Sequence, residues 1–172
     1  AGRRVGNPAD RGNQGGPLAR PEFVDGRERQ VRDSINRGAR VLAGGRRLNN
    51  GGNFFEPTVL AGVKPGMPVY DEETFGPVAA VIRVKDAEEA LRVANDSDFG
   101  LGSSIWTGDV ERGRLLAERV EAGLVFINGM VASDARLPFG GVKRSGYGRE
   151  LSEAGIKEFT NIQTVWIGPA KT

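Results

Sequence analysis

Residues 78–128 read VAAVIRVKDAEEALRVANDSDFGLGSSIWTGDVERGRLLAERVEAGLVFIN. Three apolar runs, Val78 to Val84, Ser103 to Thr107 and Leu124 to Asn128, alternate with two stretches of helical period. The first run is apolar at nearly every position, the pattern of a strand buried on both faces. Asp86 stands where a helix N-cap belongs, and Glu89 three residues on completes a capping box. Ala87, Ala90, Leu91 and Ala94 then form that helix's buried stripe. Gly100 and Gly102 lead into the second strand. Asp109 opens the second helix, whose stripe is Gly113, Leu116, Ala117 and Val120 and which Gly123 stops. The order β-α-β-α-β with short connections predicts an α/β fold with a parallel sheet and right-handed crossovers.

Ligands gather at the carboxyl ends of such strands, and Asn128 is the end of the last one. The loop Met130 to Glu150 comes directly after it. The second part of this loop, LPFGGVKRSGYGRE from Leu137 to Glu150, has too much glycine for a packed helix or strand. It reads as a long surface loop, or as a loop whose backbone must approach a ligand or another chain segment. Neither nucleotide fingerprint fits: Gly141-Val142-Lys143-Arg144-Ser145 is not a P-loop, and a G-x-G-x-x-G would need glycine at Leu151. A helix, Glu150 to Glu158, and an alternating strand, Asn161 to Ile167, end the pattern. That strand must pair with something.

Upstream, residues 1–20 are loop-like. Pro21 and Gly38 bracket a helix over residues 22–37. Its stripe of Val24, Val31 and Ile35 is narrow, so the helix should lie on the surface. Arg40 to Ala43 is a strand, residues 49–52 (Asn-Asn-Gly-Gly) a tight turn, and Phe54 to Leu60 a strand held to an edge or bulged by Pro57. Residues 63–77 read as irregular. The acids Asp71, Glu72 and Glu73 within them form a solvated turn, or include one carboxylate that grips hydroxyls.

With 172 residues the chain can bury a core. A net charge of +2 with dispersed basic pairs argues against a nucleic-acid surface. No apolar run is long enough for a membrane span, and residues 1–10 lack the apolar core of a signal peptide, so a cytoplasmic protein is expected. The sequence contains no cysteine and no histidine. That excludes disulfides, a thiolate nucleophile and Ser-His-Asp or Cys-His catalysis from these residues alone, and no metal site is expected.

Four stretches in order carry a resemblance: Glu72 to Val78 (EETFGPV), Asn95 to Gly102, Gly123 to Asn128 (GLVFIN) and Pro138 to Glu150. The chain resembles the C-terminal part of the aldehyde dehydrogenase superfamily over nearly its whole length. Its wording is most similar to bacterial succinate-semialdehyde dehydrogenases. The resemblance implies residues 1–150 as the later part of the catalytic domain, and 151–172 as a return helix and oligomerisation strand. It also implies an oxidation dependent on NAD or NADP: a cysteine thiolate attacks the aldehyde, hydride passes to the nicotinamide, and water hydrolyses the thioester. Glu73 then matches the glutamate that holds the nicotinamide ribose, and Phe75 the aromatic beside it. Phe139 matches an aromatic near the aldehyde pocket. Glu150 matches a buried, proton-relaying glutamate whose pKa burial would raise. Ser133 lies where some of these enzymes bind the substrate's distal carboxylate, although Asp134 would oppose an anion there unless turned away. Residues 161–167 (Asn161 to Ile167) would join a partner subunit of a homo-oligomer.

The missing cysteine is the departure. The expectation is a part of an enzyme, inactive alone and weak in its affinity for NAD. The alternative is a non-catalytic oligomerisation or interaction module that reuses the scaffold.

Overall fold

The structure, a computed structural model, describes residues 3–49 and 51–169. Ala1 and Gly2 of the N-terminal loop, Asn50 of the expected turn and residues 170–172 of the C-terminal segment lie outside them. The chain divides into two compact units, Ala1–Glu89 and Ala90–Thr172.

In the first unit, Pro21 presets the helical φ and lacks an N–H that the first turn could not bond, and α1 spans Pro21–Asn36. Gly38 ends it at φ +104. There Gly38 N–H donates to the Ile35 carbonyl and Ala39 N–H to that of Ser34, the Schellman closure. The helix is not merely superficial. Val24 and Val31 are buried, but so are Arg27, Gln30 and Ser34 on the same face, whereas Ile35 is exposed. The apolar stripe looked narrow because three of its positions are polar.

The remaining elements of this unit are β1 (Arg40–Ala43), β2 (Arg47–Leu48), β3 (Phe54–Phe55), β4 (Thr58–Ala61), α2 (Pro68–Asp71) and β5 (Val78–Val81). Pro57 has no N–H for a ladder, and it divides the expected single strand in two. Phe54–Phe55 pairs with β2 in a hairpin of its own. Thr58–Ala61 becomes the central strand of the sheet β1-β4-β5, antiparallel to β1 and parallel to β5, and is not an edge. Residues 63–77 are not wholly irregular, since Pro68 starts the short helix α2 as Pro21 starts α1. Val69 N–H donates to the buried Ser34 Oγ at 3.1 Å, which ties α2 to α1. Phe55, Leu60, Val63, Met67 and Val69 close the core over Val24 and Val31. β5 departs from its expected burial on both faces: Ala79 and Ala80 are exposed and Val81 is 48% accessible. Among the described residues it pairs with β4 alone, and an apolar run cannot show whether anything covers it.

Next come α3 (Ala87–Asn95), β6 (Phe99–Gly100), β7 (Gly102–Ile105), α4 (Val110–Ala117), β8 (Leu124–Ile127), β9 (Val142–Lys143) and α5 (Ser152–Glu158). Asp86 caps α3 through Glu89 N–H at 2.8 Å, and Glu89 returns its carboxylate to Lys85 N–H. Of the expected α3 stripe only Leu91 is buried; Ala90 and Ala94 face solvent. Asp109 caps α4 through Arg112 N–H at 2.9 Å. α4 ends at Ala117, ahead of Gly123, because Arg119 and Val120 donate to carbonyls three residues back and tighten the last turn. β7-α4-β8 is the expected crossover unit with parallel strands in register, Gly102 opposite Leu124 and Ile105 opposite Ile127. The α/β class and its parallel pairing stand. The ladders are separate, however: β5 pairs with β4, and β7 with β8.

Residues 161–169 form no ladder, and Ile162, Val165, Trp166 and Ile167 are exposed. A strand needs a partner, and the expected one at 161–167 finds none among the described residues. No helix among the described residues is long and apolar enough to cross a membrane.

Candidate functional site

Between α2 and β5 the three acids have three different uses. Asp71 Oδ1 accepts Gly66 N–H at 3.2 Å. Glu72, extended at φ −108 and ψ 153, turns its carboxylate to α1. Arg29 donates to it from both Nη atoms, at 3.2 and 2.6 Å, and Gln30 Nε2 at 2.8 Å. The Arg29 hydrogen bonds, then that of Gln30, hold the Glu72 carboxyl below its ordinary range. Glu73 engages α1 through its main chain, its carbonyl accepting Gln30 Nε2 at 3.2 Å and Arg27 Nη1 at 3.4 Å. The Glu73 side chain is exposed, and Phe75 two residues on is 70% accessible. The loop rests on the stem of Arg27, where a Cβ on Gly76 would lie 3.2 Å from Arg27 Cδ. Burial lowers the Arg27 pKa, and Glu72 opposes that shift. An exposed acceptor-only carboxylate beside an exposed aromatic face can take a vicinal diol and the flat ring it carries.

The second unit holds the other three residues of interest. Asn128, at φ 53, locks the end of β8 to β7: its amide exchanges bonds with the Thr107 N–H and carbonyl at 2.8 and 2.9 Å. Ser133 in the following loop is exposed. Asp134 beside it is engaged by Arg136, Nε at 2.9 Å and Nη2 at 2.6 Å, so its charge is met locally and its pKa is lowered. The repulsion expected against an anion at Ser133 is thereby reduced.

Phe139 and Glu150 come together as a bridge, each N–H donating to the other's carbonyl at 2.8 Å. Phe139 is half-buried. Glu150 is exposed, not buried as expected. Both line a hollow of about 480 Å³ with Tyr147, Arg149, Glu158 and Phe159; Ser133 is not part of its wall. The glycines of this loop approach another chain segment, since a Cβ on Gly123 would strike the Gly140 carbonyl. The loop is not uniformly irregular either, because its centre is the short strand β9, antiparallel to β6. Lys143 in β9 donates to the Asn95 and Ser97 carbonyls at 2.6 and 2.9 Å and pairs with Glu121 at 2.6 Å.

Sequence reasoning passed over Arg27, Arg29 and Gln30. The available signal was spacing: Arg27 and Gln30 fall between Val24 and Val31 on one helix face, where a purely structural stripe would be apolar.

The family model described as "Aldehyde dehydrogenase family" matches residues 1–165. The chain is 53% identical over 166 residues to the NAD(P)+ succinate semialdehyde dehydrogenase Sad of Escherichia coli, covering 96% of this chain and 36% of that protein. It is 50% identical over 167 residues to the NADP+ succinate-semialdehyde dehydrogenase 1 of Mycobacterium tuberculosis, covering 97% and 36%. The crystal structure of the succinic semialdehyde dehydrogenase of Streptococcus pyogenes with NADP+ superposes with a TM-score of 0.91 at 38% identity, covering 97% of this chain and 37% of that one. The chain thus spans about a third of the length of the relatives it matches.

Proposed function

The chain belongs to the aldehyde dehydrogenase family, and from that premise we propose that it forms part of an NAD(P)-dependent enzyme oxidising succinate semialdehyde to its carboxylic acid. Residues 1–150 would be the later part of the catalytic domain and 151–172 the return helix and oligomerisation strand. The carrying observation is the exposed Glu73 carboxylate, with the exposed Phe75 two residues on, in a loop bonded to α1. Those residues fit the nicotinamide ribose end of the dinucleotide, Glu73 as acceptor for the two ribose hydroxyls and Phe75 as the adjoining apolar face. Bound there, the cofactor would supply a hydride acceptor.

The other assignments rest on the second unit. Phe139 lends an apolar wall that keeps water from the reacting carbon. Ser133 donates its hydroxyl to the substrate's distal carboxylate, with Asp134 already paired to Arg136. Glu150 serves as proton carrier. The nucleophilic thiolate is not supplied by these 172 residues, which contain no cysteine. Such chemistry suits a reducing compartment, the cytoplasm. A second reading, a non-catalytic module that associates through its apolar tail, draws on the exposed Ile162, Val165 and Ile167.

Titration of NAD+ and NADP+ into the purified chain, with Glu73→Gln as control, tests the assignment. Weak, millimolar binding that the substitution weakens further supports a ribose contact working alone. Binding indifferent to Glu73→Gln removes that contact, and no binding at all favours the interaction module. Micromolar binding lost in the variant would show a complete cofactor pocket and require the partial-site account to be rebuilt.

A further inference from the structure

The face of α1 that packs on the core contains two side chains that a stability argument does not call for. Arg27 is 7% and Gln30 3% exposed. Burying a guanidinium is costly unless its donors are met, yet among the described residues Arg27 Nε has no partner, and neither has Gln30 Oε1. Leucine at either position would suit a core-facing helix better. Both side chains do share one target, the Glu73 carbonyl. Gln30 and Arg29 also hold the carboxylate of the preceding residue, Glu72.

In extended chain, successive side chains point to opposite sides. Glu72 is extended and its carboxylate is bonded to α1. With the Glu73 carbonyl also bonded to α1, the Glu73 side chain is left facing solvent, as observed. We propose that Arg27 and Gln30 are positioning residues: by holding the Glu73 carbonyl on α1 they fix the direction in which Glu73 offers its carboxylate to a ribose diol. This rests on the ribose reading of Glu73. Preorganising an exposed acceptor lowers the ordering cost of binding, and it accounts for buried polar groups that add little to the core.

The test uses the full chain with Arg27→Met, Gln30→Met and Glu73→Gln, alone and paired, and nicotinamide mononucleotide as probe in NMR titrations. Thermal unfolding comes first; should Arg27→Met not fold, Gln30→Met carries the test. Ligand-free backbone order parameters at Glu73 and Phe75 are expected to fall in Arg27→Met and Gln30→Met, while those of β4 stay unchanged. Kd is expected to rise several-fold in each, with no further rise once Glu73→Gln is present, because coupled residues are non-additive. Wild-type order and wild-type Kd in both helix variants, with Glu73→Gln still weakening the probe, would overturn the positioning role and leave the ribose reading intact. A Kd that Glu73→Gln does not change, or no binding by the wild type, removes the ribose reading and the proposal with it.

Discussion

At Gly123 a side chain has nowhere to go: its Cβ would meet the Gly140 carbonyl, a backbone atom that cannot swing aside. Gly123→Ala is therefore expected to cost about 1–3 kcal/mol by overpacking, read as a lower urea midpoint; an unchanged midpoint would show that the two segments separate easily. From sequence, Gly123 looked like a helix stop, and its actual neighbour lies in the glycine loop. The acids at 71–73 carry the same lesson. Sequence reasoning named Glu73 as a hydroxyl acceptor but could not apportion the three carboxylates, because Glu72's partners are 42 and 43 residues away on α1. That pairing makes a pH prediction. The folded Glu72 pKa is depressed, so its contribution is present above the unfolded carboxylate value of about 4.3 and is lost as pH falls through the folded value. The side chains of Arg29 and Glu72 are 47% and 42% accessible, which limits the pair to at most about 1 kcal/mol. Urea midpoints of the wild type and Glu72→Gln should differ near neutral pH and converge as pH falls through the folded Glu72 value. A gap that persists in acid would mean the substitution acts through packing.

Among the elements, helices were the more legible, since their signals are local. Pro21, Gly38, Asp86 and Asp109 all sit at the ends they announced. Strands were less so, because a strand is completed by a partner that the local pattern does not name. Pro57 could be read as a break, but not as the division between a hairpin and the middle of a sheet. The alternation of residues 161–167 likewise predicts a strand, and no ladder for it forms among the described residues. Ile162, Val165, Trp166 and Ile167 stand exposed on a segment that joins no ladder among the described residues, the arrangement that invites strand addition. Removing residues 161–172 should shift the chain towards monomer in light scattering. An unchanged mass would show that association, where it occurs, uses another surface, the uncovered β5 among them.

For the molecule as a whole, four separated stretches of the sequence disclosed its class, and two missing residue types bear on its chemistry. Oxidising an aldehyde by way of a thioester needs a thiolate, and there is no cysteine. A serine or threonine hydroxyl needs a base beside it, and the usual one, histidine, is absent. Lys143, the lysine of the glycine loop, is committed to two carbonyls and to Glu121. On the proposed reading, Glu73 and Phe75 would hold one end of a cofactor without providing anything for the substrate carbon to bond. The purified chain, given NADP+ or NAD+ and succinate semialdehyde, should thus form no reduced nicotinamide above the rate in buffer, even at cofactor concentrations where the Glu73-dependent binding is saturated. Reduced nicotinamide appearing in proportion to the chain, and abolished by Glu73→Gln, would mean that another side chain carries the attack, and the assignment of catalysis to a thiolate outside these residues would be wrong.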